Sequence, residues 1–248
     1  MSCAHKTTLL LFVAFGALVG SRDVFAYRPF DSTDAAVADV GELEVELGPA
    51  EFRRDNSAWT LIAPAIVLNY GFAKNWELVL EGRAEHPLPP AEDTRSMLVD
   101  DALSLKGVLR EGVLQGKSGP SIATEFGVLL PEINGVTRAG ASWAGIVSDR
   151  WSWGTLHFNI GAALTRDQHG DVSVETIVEG PHDWTVRPVA EVRYEREFDI
   201  KETVFGLVGA IWQVKDNLAF DVGVREAWVN HRPETEIRAG LTFAFKVR

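Results

Sequence analysis

The chain has a single cysteine, Cys3, and it precedes every segment with folding potential. Disulfides and cysteine-built metal sites are therefore excluded from the folded part. Cations are in the minority: 24 Lys and Arg stand against 35 Asp and Glu, a formal net charge of -11. Binding a phosphate backbone takes clustered Lys and Arg, so nucleic acid is excluded as a partner. After residue 26 no apolar run approaches the roughly 20 residues that a spanning helix needs. Helical periodicity is missing as well. No stretch longer than about 12 residues places its apolar side chains at helical spacing, which argues against helical and α/β folds. Yet 46% of the residues are apolar and the mean hydropathy is close to zero, high for so acidic a chain.

The one long apolar run lies at the start. Lys6 provides a positive beginning, residues 7–19 an apolar core, and Val24-Phe25-Ala26 a small-x-small cleavage site. This pattern predicts a secretory signal over 1–26, too short for a membrane anchor. Pro29 and the small polar residues after it predict an extended leader over 27–41. That leader is expected either to enter a lumen as a plug or to stay outside as a polar linker.

From residue 42 onward the pattern is alternation. In 235–245, Ile237, Ala239, Leu241, Phe243 and Phe245 alternate with Glu236, Arg238, Gly240, Thr242 and Ala244, the period of a strand. Glu42, Glu44 and Glu46 likewise share one face, opposite Leu43, Val45 and Leu47. Twelve such segments are predicted: 42–47, 58–70, 76–86, 98–110, 120–130, 138–148, 154–166, 171–180, 184–196, 203–214, 218–229 and 235–245. Segments 58–70 and 203–214 are apolar on both faces, so their facing is open. The lengths suit tilted membrane strands of about 9–11 residues better than the 5–6 residues of an average strand.

Charge decides which way the sheet faces. A Lys or Arg on the lipid face at mid-membrane costs about 2–4 kcal/mol. In most segments the charged residues away from the rims share one face and the opposite face has none. The expected fold is all-β: one 12-stranded antiparallel transmembrane β-barrel over 42–248, in a bacterial outer membrane. An even strand count puts both ends in the periplasm, with inner turns at 72–75, 111–119, 149–153, 181–183 and 215–217. The outer loops are then 48–57, 87–97, 131–137, 167–170, 197–202 and 230–234, and most tight turns fall inside. Tyr70, Phe72, Trp76, Trp151, Trp153, Trp184, Trp212 and Phe245 cluster at the inner rim as an interfacial girdle.

Three stretches carry a family resemblance: Arg28-Pro-Phe-Asp-Ser-Thr-Asp-Ala35, Tyr70-Gly-Phe-Ala-Lys-Asn-Trp-Glu-Leu78, and Lys215-Asp-Asn-Leu-Ala-Phe-Asp-Val-Gly-Val224 with its closing Gly240-Leu-Thr-Phe-Ala-Phe245. In their order and spacing they resemble Gram-negative outer-membrane proteins labelled as transporters, or by association with a meta-cleavage phenol-degradation pathway. The resemblance implies an outer-membrane barrel and a channel for small or aromatic molecules.

The candidate functional residues are the charged and polar side chains expected to line the lumen as a solute path. They are Glu77, Glu81, Arg83, Lys106, Arg110, His157, Glu175, Arg187, Glu191, Arg193, Glu195, Asp221, Arg225, Glu236 and Arg238. The competing reading is a ladder of ion pairs filling a narrow barrel, since twelve strands lie between the filled eight and the open sixteen. No catalytic site is expected: no serine stands beside a histidine on a lipid face. No metal-ligand spacing occurs, no cofactor is implied, and Gly116-Lys-Ser118 lacks the glycine spacing and helix of a phosphate loop. The expected partners are outer-membrane lipid, a small solute and the barrel-assembly machinery; the oligomeric state is left open.

Overall fold

The computed structural model describes residues 28–56, 58–89 and 95–247. The signal segment 1–26 lies outside the described residues. Thirteen antiparallel strand segments follow in chain order: β1 (Glu42–Gly48), β2 (Glu51–Asp55), β3 (Ala58–Ala73), β4 (Trp76–Leu88), β5 (Met97–Arg110), β6 (Ser121–Leu129) and β7 (Gly140–Trp151). The rest are β8 (Gly154–Leu164), β9 (Gly170–Glu179), β10 (Val186–Glu197), β11 (Lys201–Lys215), β12 (Leu218–Val229) and β13 (Arg232–Lys246). One 3-10 turn, Val113–Gln115, interrupts the connection from β5 to β6.

From β2 onward each strand pairs with its sequence neighbour, and the sheet closes where β1 and β2 both pair with β13 on one side and β3 on the other. β1 and β2 are therefore two halves of one stave, and the barrel has twelve. This corrects the outer loop expected at 48–57. The chain breaks pairing only at Pro49-Ala50, where proline has no N–H to donate, and resumes it through Asp55. Gly48 precedes the break, and a side chain there would meet the Arg28 guanidinium at 2.9 Å.

The end that carries Gly41 and Lys246 is called inner below. β7 continues to Trp151, so the inner turn expected at 149–153 shrinks to two residues, as at 74–75 and 216–217. The outer end also has a two-residue turn, Asn230-His231, with the positive φ values (48° and 65°) that a tight hairpin requires. Turn length separates the two ends less sharply than the sequence implied.

Burial is inverted relative to a water-soluble sheet. Val208 (65% exposed) and Val192 (60%) face outward, whereas Lys106 and Glu191 (1% each) face inward and are covered. The expected aromatic girdle is outward-facing as well, apart from Trp184, which lies in the turn between β9 and β10 and lines the mouth of the lumen; Trp151 and Trp153 stack at 5.6 Å. Hydrocarbon is the solvent that such an exterior matches. Val208, midway along β11, sets a test: Val208→Arg is expected to cost about 2–4 kcal/mol in a lipid bilayer, read as a lower midpoint of heat-modifiable gel migration. A variant as stable as the wild type would show that this face does not meet lipid.

The two segments that were apolar on both faces are now explained. β11 turns Phe205, Leu207 and Ile211 inward, all buried at 2% or less, and β3 turns Ile62 inward at 0%. The inward apolar residues of β11 form a dry patch beneath Phe30 of the leader.

Candidate functional site: the lumen and its leader

Residues 28–41 lie inside the barrel and make almost one circuit of its inner wall. Gly41 N–H donates to Gly71 O of β3. A side chain at Gly71 would collide with the leader carbonyls of Ala38 and Asp39, so glycine admits the chain there. Ala38 N–H donates to Glu77 on β4 (2.7 Å). Ala35 is held between Ala123 of β6 and Ile146 of β7, and its N–H donates to Ser148 Oγ (3.0 Å). Lys106 Nζ of β5 donates to Thr33 Oγ1 (3.0 Å), and Asn159 of β8 donates to Thr33 O (2.9 Å). On β10 the Glu191 carboxylate accepts from Asp31 N–H, Ser32 N–H and the Ser32 hydroxyl. Asp31 pairs with Arg238 (2.5 Å) and Arg225 (3.1 Å), and Arg28 pairs with Glu51 and Asp221.

These contacts alternate two kinds of anchor. Phe30 and Ala35 bury apolar surface, while the residues between them offer backbone N–H groups and carboxylates to charges of the wall. Burial would raise the Asp31 carboxyl, but Arg238 and Arg225 outweigh it and hold it below the usual carboxylate range. Its ion pairs therefore contribute fully above the ordinary carboxylate pKa and are lost only as pH falls through its lowered one.

The leader and the Val113–Gln115 turn divide the interior. Toward the outer end lies a vestibule of about 670 Å³, lined by eight cations and seven acids, among them Arg53, Arg83, Arg225, Glu195 and Glu236. It continues into a mid-lumen cavity of about 290 Å³ through shared walls at Phe30, Glu81 and Arg193. Seven acids and three cations line this second space. Toward the inner end are two recesses of about 360 and 370 Å³, separated by Leu114.

Of the residues expected to line the lumen, Glu77, Lys106, His157, Glu175, Arg187, Glu191, Asp221, Glu236 and Arg238 are buried on the inward face. Arg83 pairs with Asp100 and Glu85, Arg193 with Glu175 and Glu195, and Arg225 with Glu234 as well as Asp31. Glu81 is inward but exposed, and makes no hydrogen bond or ion pair with the described residues. Arg110 is the departure. A register shift between Val108 and Arg110 carries it to the inner rim, where its guanidinium is exposed and meets the carbonyls of Ser118 and Pro120.

Four participants were not among the expected lumen residues: Ser148, Glu179, Asp31 and Ser32. Ser148, His157 and Glu179 come together because β7, β8 and β9 pair in register, Ser148 opposite His157. Ala35 N–H donates to Ser148 Oγ, Ser148 Oγ shares a hydrogen bond with His157 Nδ1 (2.8 Å), and His157 Nε2 lies 3.1 Å from the Glu179 carboxylate. The Ser148 oxygen is fully buried under the leader and has both roles filled, so the row serves as an anchor. Asp31 and Ser32 were the other omission. Their only signal was the leader motif itself, whose partners lie some 160 positions away. Among the described residues no group of His, Cys, Asp and Glu has the placement to hold a metal ion.

No family model matches the sequence, and no curated protein matches it. Among solved structures the chain is similar to an outer membrane channel from Pseudomonas putida F1, with a TM-score of 0.64 at 11% identity, covering 87% of this chain and 100% of that one. It is also similar to a KdgM porin, with a TM-score of 0.53 at 9% identity over 82% and 99% of the two chains. At these identities the likeness speaks to architecture alone, and it agrees with strand count, closure and inverted burial: the chain has the fold of an outer-membrane β-barrel.

Proposed function

We propose that this protein resides in a bacterial outer membrane and acts as a passive channel for small hydrophilic solutes, its bore set by the leader over 28–41. The observation that carries the reading is the closed twelve-stave wall, apolar outside and charged inside, with cavities of about 290 to 670 Å³ on both sides of the leader. Such a wall places a polar route across an apolar layer, and a passive route needs no catalytic group. The fold shared with channels and porins supports this reading. For the aromatic solutes that the sequence resemblance implies, the suitable inner surface is the apolar patch of β10–β12, and Phe30 covers it.

Planar-bilayer recording on the purified chain tests conduction. Small, discrete steps are expected, and liposome swelling should fall off sharply with solute size. A silent bilayer together with unswollen liposomes would overturn the reading. It would favour a non-conducting structural or adhesion barrel, which the lumen-filling leader also suits.

The mid-lumen cavity predicts cation preference. Glu81 and Glu125 face it with no hydrogen bond or ion pair to the described residues, so their carboxyl groups are open to whatever passes among the seven acids and three cations of its wall. Changing both to Gln is expected to shift the reversal potential in a salt gradient toward anions, with little change in stability. An unmoved reversal potential would place the ion path elsewhere.

A further inference from the structure

One wall of the mid-lumen cavity of about 290 Å³ lacks long apolar side chains. Along β6–β9 the register sets two rungs side by side on the inward face. The outer rung runs from Ser142 through Ala163 to Asp171. The rung one step inward runs from Glu125 through Ala144 and Gly161 to Ser173. All of these residues border the cavity. The alanines and the glycine form a low floor, and the four polar residues stand around it.

Those four side chains are unspent. Glu125, Ser142, Asp171 and Ser173 make no side-chain hydrogen bond or ion pair with the described residues. Ser173 is only 7% exposed, and its hydroxyl overhangs Gly161, where any side chain would collide with it. The Ser142 hydroxyl overhangs Gly127 in the same way. Neither oxygen is sealed off from the cavity. A buried hydroxyl without a partner is costly, so its partner has to come from whatever fills the space. The three cations of the cavity are already engaged, Arg28 by Glu51, Lys106 by Glu77 and Arg193 by Glu195. On the inner side the leader closes the shelf with Thr33, which Lys106 and Asn159 hold.

We propose that this shelf is a binding site for an amino sugar, a single ring carrying hydroxyls and one ammonium. The ring lies over Ala144 and Gly161, the ammonium meets Glu125, and the hydroxyls reach Ser142, Asp171 and Ser173. Neighbouring strands lie about 4.8 Å apart, so Glu125 and Ser173, three strands apart, stand roughly 14 Å apart at the backbone. That span admits one ring with a hydrogen bond at each end. The cavity is also at the small end of ligand sites, about 300–1,000 Å³, which limits the solute to one ring. The assignment rests on the cation preference argued above and extends it to a solute class. Binding needs no through-passage, so it is decided apart from conduction.

Titration calorimetry on the full chain in detergent at neutral pH tests it with glucosamine, glucose and cyclohexylamine. Glucose has the hydroxylated ring without the charge; cyclohexylamine has a ring and the charge without hydroxyls. Glucosamine is expected to bind in the millimolar range, about tenfold more tightly than either, because only it uses both the carboxylates and the hydroxyls. Glu125→Gln with Asp171→Asn is expected to bring glucosamine down to the affinity of glucose. Ser142→Ala with Ser173→Ala is expected to weaken both sugars several-fold and to leave cyclohexylamine unchanged. Should the carboxylate variant fail to fold on a heat-modifiability gel, the ranking of the probes in wild type and in the serine variant decides alone. Glucosamine bound no better than either other probe, a preference that survives the carboxylate changes, sugars indifferent to the serine changes, or no heat with glucosamine would overturn the assignment. A silent bilayer beside a tenfold glucosamine preference would remove conduction and leave the site standing.

Discussion

Deleting residues 29–37 is expected to raise single-channel conductance several-fold and to replace steady steps by larger ones. These residues make the circuit between the outer cavities and the inner recesses, so without them the vestibule of about 670 Å³ opens directly toward the inner end. Closure itself survives the deletion, because the ladder of β1 and β2 with β13 and β3 uses no leader residue. The deletion uncovers the Phe205, Leu207 and Ile211 patch, which then faces water in a wider bore. A milder variant makes the same point. Asp31→Ala removes the anion that Arg225 and Arg238 share, loosening the leader at its centre, and should appear as flicker between two conductance levels. Wild-type conductance and noise in both variants would mean that the leader does not set the bore.

Lys106→Met is expected to be the most destabilising single change in the lumen, by roughly 3–5 kcal/mol, the cost of breaking a buried ion pair from one side. The Lys106 ammonium is 1% exposed and stands 3.5 Å from Glu77 and 3.8 Å from Asp34, while donating to Thr33. Removing it leaves those acids near Glu125 with their neutralising charge gone. It also cuts one of the leader's ties, so stability and conductance should move together. A second substitution separates charge from packing: Lys106→Met with Glu77→Gln is expected to recover a good part of the loss, since the pair is replaced on both sides. Unfolding in urea, read by gel migration, gives the numbers. A Lys106→Met midpoint within about 0.5 kcal/mol of wild type, the range of an ordinary surface change, would show that water already screens this site.

Most of the wall was readable from alternation alone. Strands β4, β8, β9, β12 and β13 carry charges on one face and apolar residues on the other, so their position and facing follow from a period of two. The reading slipped where local pattern and tertiary contact part company. Pro49 looked like the start of a loop, but β13 and β3 continue past it and capture Glu51–Asp55 on the far side. Arg110 has the right parity for the lumen, yet a register shift in β5 moves it to the rim. β11 gave no facing because its inner side is made apolar by a partner, Phe30, 175 or more positions earlier in the chain.

The sequence by itself determined that the chain is a barrel, how many staves it has and which face of each clearly alternating strand is apolar and turned outward. Those properties rest on nearest-neighbour periodicity and on the cost of charge in hydrocarbon, both legible along a single strand. Only the tertiary structure decided what occupies the bore. Whether Arg28 to Gly41 lies inside depends on Glu77, Lys106, Ser148, Glu191 and Arg238 converging from five separate strands. Convergence of that kind is a property of closure, because inward side chains become neighbours across a lumen only once the last strand has met the first.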